Sequence, residues 1–220
     1  YRRIRNTFRY LIGNLENFME NEKIDISSMP ELEIYILHRL WEVNQIVQRC
    51  IKTYDFHYMF TTLLNFCSND LSAFYFDIRK DCIYCESKEN IKRRSSRTVL
   101  KYLFEYLVRW FAPSLVFTAE EAWKAMGNKS SIHLEEFLEI PSNFQNDKLE
   151  KKWNFILDIR KVITGALEIK RLDKIIRSSL EASIDVYVSS EIYTNIKDIP
   201  LSEVTITSNV NIIESNNHNK

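Results

Sequence analysis

The sequence predicts a mainly α protein: a helical bundle over about 1–180, a small α/β segment over 181–213 and a loose tail over 214–220. Three observations carry this. Apolar residues recur at steps of three and four through most of the chain. Only 3 glycines and 4 prolines interrupt 220 residues, which suits long helices. From Ser183 the period changes to two, the signature of strands.

The first helix is defined by Ile4, Phe8, Leu11, Leu15 and Phe18. A polar, irregular stretch between Met19 and Met29 leads to "SSMPELE", where serines, a proline and two glutamates signal a helix start. The second helix then runs through Leu32, Ile36, Leu40, Val43, Val47 and Tyr54 on one buried face. The segment from Asp55 to Arg79 is the most apolar and is expected to be the central, most enclosed helix or a broken pair. After the polar "ESKENIKRRSSR" comes a helix through Val99, Leu103, Leu107 and Trp110, stopped by Pro113. In "FTAEEAW", Thr118 and Glu121 have the spacing of a capping box, and Gly127 ends that helix. A non-periodic stretch precedes a long amphipathic helix through Leu149, Trp153, Ile156, Ile163 and Leu167, fading near Ser178. "SIDVYVS" and "VTITSNVNII" read as strands, with "SEIYTNIKDI" as a short helix between them. The expected core includes Phe8, Leu11, Leu40, Val47, Leu63, Phe74, Leu103, Leu107 and Phe117, with Trp110, Trp123, Trp153 and Tyr75 also inside.

Formal charge is zero, so composition alone does not announce a nucleic-acid binder. The charge is unevenly spread. Of 30 basic and 30 acidic residues, two basic (Lys197, Lys220) and six acidic ones lie beyond Leu180, leaving 28 against 24 before it. Four cysteines and no apolar run of about 18 residues indicate a reduced, cytoplasmic chain without membrane spans. Cys82 and Cys85 form a lone CxxC, better read as two ordinary cysteines beside a helix end than as a zinc site. There is no glycine-rich phosphate loop, no HExxH and no nucleophile setting around His38, His57, His133 or His218. No catalytic residue, metal ligand or cofactor site is therefore assigned within this chain.

Basic residues interleaved with aromatics are more informative. At about 100° per residue, Arg2, Arg5 and Arg9 share a face with Asn6, away from Ile4, Phe8, Leu11 and Leu15. A second stripe, Arg93, Arg97 and Lys101 with Arg94 beside it, opens the helix before Pro113. Guanidinium forks suit phosphate oxygens and stack on bases. Spacing alone leaves the alternative, a solvated face balanced by Glu16, Glu89 or Asp77, as the better reading.

Whole blocks of sequence alter that balance. "YRRIRNTFRYLIGNL", "YDFHYMFTTLLNFCSNDLSAFYFDIRKDCIYC", "RRSSRTVL", "VRWFAPSLVFTAEEAW", "SIHLEEF" and "SSLEASIDVYV" occur in order. They resemble the anticodon-binding domain of bacterial isoleucyl-tRNA synthetases, from Tyr1 to about Val188, and "YRRIRNT" favours the isoleucine family over its valine and leucine relatives. The resemblance implies a class I synthetase-type helical bundle that holds the anticodon stem-loop of tRNA-Ile. It also implies an ATP- and Mg-dependent catalytic body upstream of Tyr1, carrying the HIGH and KMSKS signatures absent here, with any zinc module beyond Lys220. The expected partners are tRNA and that body, the expected state a monomer. The RNA-contact candidates are Arg2, Arg5, Asn6, Arg9, Arg79, Lys80, Arg93, Arg94 and Arg97. A helical docking module without RNA binding is the competing reading.

Two departures from the family pattern stand out. Cys82 replaces an arginine, removing one RNA contact, and Arg177 replaces a glycine suited to a left-handed helix cap. Either the last long helix ends differently, or Arg177 is strained.

Overall fold

In the computed structural model, residues 1–215 are described, and they fall into two compact units, one ending at Asn146 and the other beginning at Asp147. This boundary differs from the expected one near 180, because the long helix after Asp147 belongs with the α/β segment that follows it.

In the first unit, α1 (Arg2–Asn14) buries Ile4, Thr7, Phe8 and Leu11. The chain beyond it makes only two short 3-10 turns before α2 (Glu31–Thr53). The run that follows is continuous: α3 (Phe56–Asn65), a ten-residue π-helical segment (Phe66–Tyr75) and α4 (Phe76–Cys85). It is neither one regular helix nor a broken pair. The wider π winding turns Phe66, Cys67, Leu71, Phe74 and Tyr75 inward, and Ser72 Oγ donates to the Cys67 carbonyl at 2.8 Å. Nor is this run the most enclosed part, since Phe56 and Tyr58 are exposed.

That position belongs to α5 (Ile91–Phe111), started by the Asn90 side chain, which accepts from the backbone N–H groups of Lys92 and Arg93. Its Val99, Leu100, Leu103, Phe104 and Leu107 are fully buried, and Phe104 and Phe111 pack edge-to-face on Phe8. Each such apolar side chain contributes about 1.5–3 kcal/mol by leaving water. Trp110, Trp123, Trp153 and Tyr75 are buried as expected.

Helix α6 (Val116–Ala125) starts earlier than the sequence predicts, because the turn after Pro113 already closes with Leu115 N–H on the Phe111 carbonyl. The Thr118–Glu121 capping box is therefore not formed. Thr118 lies inside the first turn and bonds the Tyr1 hydroxyl at 3.4 Å, while Glu121 pairs with Arg5. Phe117, expected in the core, is 87% exposed for the same reason: the shifted start turns it outward.

In the second unit, α7 (Asp147–Leu172) ends before Arg177. The left-handed residue is Lys174, at φ 57°, and the Arg177 N–H donates to Glu181 Oε2 at 3.0 Å, so Arg177 carries no strain. Strand β1 (Ser183–Val188) pairs in parallel with β2 (Asn209–Glu214), Ser183 opposite Asn209 and Val188 opposite Glu214. A parallel pair needs a crossover, supplied by α8 (Ser190–Ile196) and α9 (Leu201–Thr205). Hence "VTIT" is not strand: Val204 and Thr205 close α9, and Thr205 Oγ1 returns to the Leu201 carbonyl at 2.7 Å. The expected tail is strand at Glu214, and 216–220 lie outside the described residues. Among the described residues no helix is long and apolar enough to cross a membrane.

Candidate nucleic-acid interface

Helix α1 owes its orientation to its apolar stripe: once Ile4, Phe8 and Leu11 are buried, the opposite face has to meet solvent. Arg2, Arg3, Arg5, Asn6 and Arg9 are all exposed. Arg5 Nη2 reaches Glu121 Oε1 at 3.3 Å, an open pair with both side chains more than half exposed. Such pairs are worth about 0–1 kcal/mol and exchange readily for another anion. The side chains of Arg2, Arg3, Asn6 and Arg9 form no hydrogen bond or ion pair among the described residues. Arg3 was outside the expected set because it lies at the flank of the wheel; its exposure adds it.

The α5 stripe has the opposite fate. Arg97 donates from Nε to the Asn14 carbonyl at 3.2 Å, from Nη2 to the Glu16 carbonyl at 2.8 Å and from Nη1 to Glu22 Oε2 at 2.6 Å, and lies over the Phe18 ring. Arg94 bonds the carbonyls of Glu22 (3.2 Å) and Asn21 (2.8 Å). Arg93 Nε bonds the Ile83 carbonyl at 3.0 Å. The last carbonyls of a helix lack intrahelical partners, and here α5 supplies donors to the end of α1 and to the loop behind it. Burial lowers the Arg97 pKa, against the pull of Glu22. These three arginines are tied to backbone carbonyls and to Glu22 within the fold, unlike the arginines of α1.

Arg79 is deeper still. Its guanidinium is 3% exposed and grips Glu33 twice, Nε to Oε1 at 2.5 Å and Nη2 to Oε2 at 2.8 Å. The Tyr75 hydroxyl (3.3 Å) and Ser96 Oγ (3.0 Å) also donate to Glu33 Oε1, so the buried carboxylate is satisfied from three elements. Burial first, and Glu33 second, push the Tyr75 pKa far up, which keeps the phenol protonated as a donor. Tyr75, expected inside the fold, is fully buried. Lys80 is nearly half exposed and pairs with Asp77 at 2.8 Å.

Of the expected contact residues, the structure thus brings Arg2, Arg5, Asn6 and Arg9 together on one open face, leaves Lys80 on the surface, and uses Arg79, Arg93, Arg94 and Arg97 internally. What this arrangement can do is bind anions and planar groups without moving a core residue. It has no nucleophile and base in reach of one another on that face. Cys82 is a half-buried thiol whose pKa burial raises, Cys85 is exposed at the end of α4, and neither is in a disulfide.

Sequence reasoning placed Tyr54 and Phe56 among buried faces, but both are exposed, as are Tyr58, Arg49 and Lys52. The signal available was "TYDFHYMF", where Asp55 interrupts the apolar period and can cap the next helix.

The family model described as the anticodon-binding domain of tRNA ligase matches residues 33–186. Among curated proteins, the isoleucine–tRNA ligase of Pelagibacter ubique is 46% identical over 98% of this chain and 24% of its own length. The isoleucine–tRNA ligase of Bartonella henselae is 43% identical over 97% of this chain and 22% of its own length. That of Zymomonas mobilis is 41% identical over 98% and 24%. The chain spans about a quarter of the length of the curated relatives it matches.

Proposed function

Because the chain belongs to the family of tRNA-ligase anticodon-binding domains, we propose that it holds the anticodon stem-loop of tRNA-Ile for an isoleucine–tRNA ligase, with α1 as the phosphate-facing helix. The isoleucine assignment draws on the relatives named above, all isoleucine–tRNA ligases. The observation that carries the RNA contact is the open face of Arg2, Arg3, Arg5, Asn6 and Arg9. Arginines neutralising backbone phosphates fix register, Asn6 adds a neutral hydrogen-bonding group, and unpaired loop bases are read by stacking and along their edges. Lys80 is a further point charge for the backbone.

In this reading ATP-dependent activation of isoleucine takes place in a catalytic body of the same polypeptide, and the enzyme works as a cytoplasmic monomer. No residue of this chain is proposed to hold the ATP and Mg of that step; Gly13 lies within α1, Gly165 within α7, and Gly127 closes α6. Among the described residues, Cys82 and Cys85 gather no further histidine, cysteine or carboxylate into a metal-ligand cluster. No catalytic step is assigned to these residues.

Filter binding of tRNA-Ile and tRNA-Val transcripts at two salt concentrations tests the reading. Preferential binding of tRNA-Ile that weakens steeply with salt is expected. Binding of neither transcript by the folded protein contradicts it and favours a helical docking module.

A further inference from the structure

Where α2 turns into α3, four ring-bearing side chains crowd into five residues and none of them is buried. Tyr54 is 79% exposed, Phe56 46% and Tyr58 44%, and His57 is exposed between them. Large aromatics on a surface otherwise occupied by charges need a reason, since each forgoes the 1.5–3 kcal/mol or so that burial brings.

The backbone beneath these rings is firmly held. The Tyr54 N–H donates to the carbonyls that end α2, and the Asp55 N–H donates to the Cys50 carbonyl at 3.0 Å. Tyr54 itself is left-handed, φ 58° and ψ 25°, a conformation a tyrosine adopts only when its surroundings impose it. The Asp55 carboxylate is occupied as the cap of α3, accepting from the Tyr58 N–H at 3.1 Å. The acid at the corner is therefore turned into the backbone, while the bases are not: Arg49 and Lys52, from the last turns of α2, stay on the surface. The Arg49 guanidinium lies 5.8 Å from the centre of the Tyr58 ring, and Tyr54 and Phe56 meet edge-to-face at 6.2 Å. The edge-to-face pair of Tyr54 and Phe56 leaves a ring face free, and the guanidinium over Tyr58 occupies one face of that ring and brings positive charge to the platform.

The geometry points to a second RNA contact at this corner: Tyr54, Phe56 and Tyr58 form a stacking platform for unpaired bases, with Arg49 and Lys52 taking the adjoining phosphates. Charge complementarity selects this occupant. Ring faces flanked by two cations, with the nearby carboxylate withdrawn, suit a strand that alternates planar bases with anionic phosphates. An apolar protein segment would gain the ring faces but offer no anion to either cation. The inference rests on the tRNA-binding reading and deepens it, because the corner brings exposed rings and cations together within ten residues.

The test is filter binding of a tRNA-Ile transcript to the whole polypeptide over a range of salt, with melting temperature as the check on folding. Tyr54→Ala and Phe56→Ala are each expected to weaken binding about tenfold at every salt concentration, because one stacked base is worth roughly 5- to 150-fold in affinity. The slope of log K against log salt stays unchanged, since no phosphate contact is removed. Arg49→Ala is expected to make that slope shallower by about one. Tyr54→Phe should bind as the parent does and Tyr54→Leu should not. Parent-like binding by Tyr54→Ala and Phe56→Ala, or full rescue by Tyr54→Leu, overturns the platform while leaving the α1 reading standing. Absence of tRNA binding by the unaltered protein overturns both.

Discussion

Arg2, Arg5 and Arg9 on α1 and Arg93, Arg94 and Arg97 on α5 are both runs of guanidinium groups near the start of an amphipathic helix, yet the first run is exposed and the second is spent on carbonyls and a carboxylate. The difference lies in what stands opposite. Among the described residues, Glu121 is the only ion-pair or hydrogen-bond partner of the side chains of Arg2, Arg5 and Arg9. Opposite α5 runs the irregular chain from Asn14 to Ile24, whose carbonyls have few partners of their own; Arg94 and Arg97 satisfy four of them, and Thr98 Oγ1 accepts from the Ile24 N–H. Arg97 in effect caps the end of α1, so the buried stripe helps to hold the helix that carries the exposed one. An arginine-rich helix is therefore an RNA-binding candidate only on the face left over after local backbone groups are satisfied.

The largest effect should come from the buried extreme. Arg79→Ala leaves the buried Glu33 carboxyl without its cationic partner and with only the two hydroxyl donors named above, and is expected to cost about 3–5 kcal/mol, read by denaturant unfolding. A loss under about 1 kcal/mol would mean that the pair is solvated and the contrast false. Arg97→Ala comes next, about 1–3 kcal/mol. Hydrogen exchange should then speed up in 14–24 before it does in α2; uniform acceleration would refute the clamp.

A pH effect follows from the same use of arginine at Glu105. Burial raises its pKa, but the hydrogen bonds from Lys101 and Arg109 outweigh that, and the net shift is downward. The folded value lies below the unfolded one, so the stabilisation is complete above the unfolded pKa and is lost as pH falls through the carboxylate range. Glu105→Gln should flatten the acid limb of a stability-against-pH curve; an unchanged limb would sink the assignment. Smallest is the open Arg5–Glu121 pair, where Glu121→Ala should change stability by a few tenths of a kcal/mol.

Much of the fold was legible in the sequence because helical periodicity reports which face is buried. Phe8, Leu11, Leu40, Val47, Leu63, Phe74, Leu103 and Leu107 are all in the core. What misled was local: the Pro113 turn moves the start of α6 and exposes Phe117, and the end of α2 at a left-handed Tyr54 turns three aromatics outward. Of the candidate site, periodicity told the exposure of the α1 arginines and not the engagement of the others. Periodicity gives the angle of a side chain around its own helix but not what stands across from it: the 14–24 chain takes up Arg94 and Arg97, the Ile83 carbonyl takes Arg93, and Glu33 takes Arg79.

The most direct test of the contrast is the salt dependence of tRNA-Ile binding by the Arg2→Ala/Arg9→Ala protein, measured beside its melting curve. The two exposed side chains form no hydrogen bond or ion pair among the described residues, so melting should be unaltered. If each neutralises one phosphate, the slope of log K against log salt should fall by nearly two. Unchanged affinity and slope, with melting unaltered, would make the α1 stripe a solvated face and contradict the account.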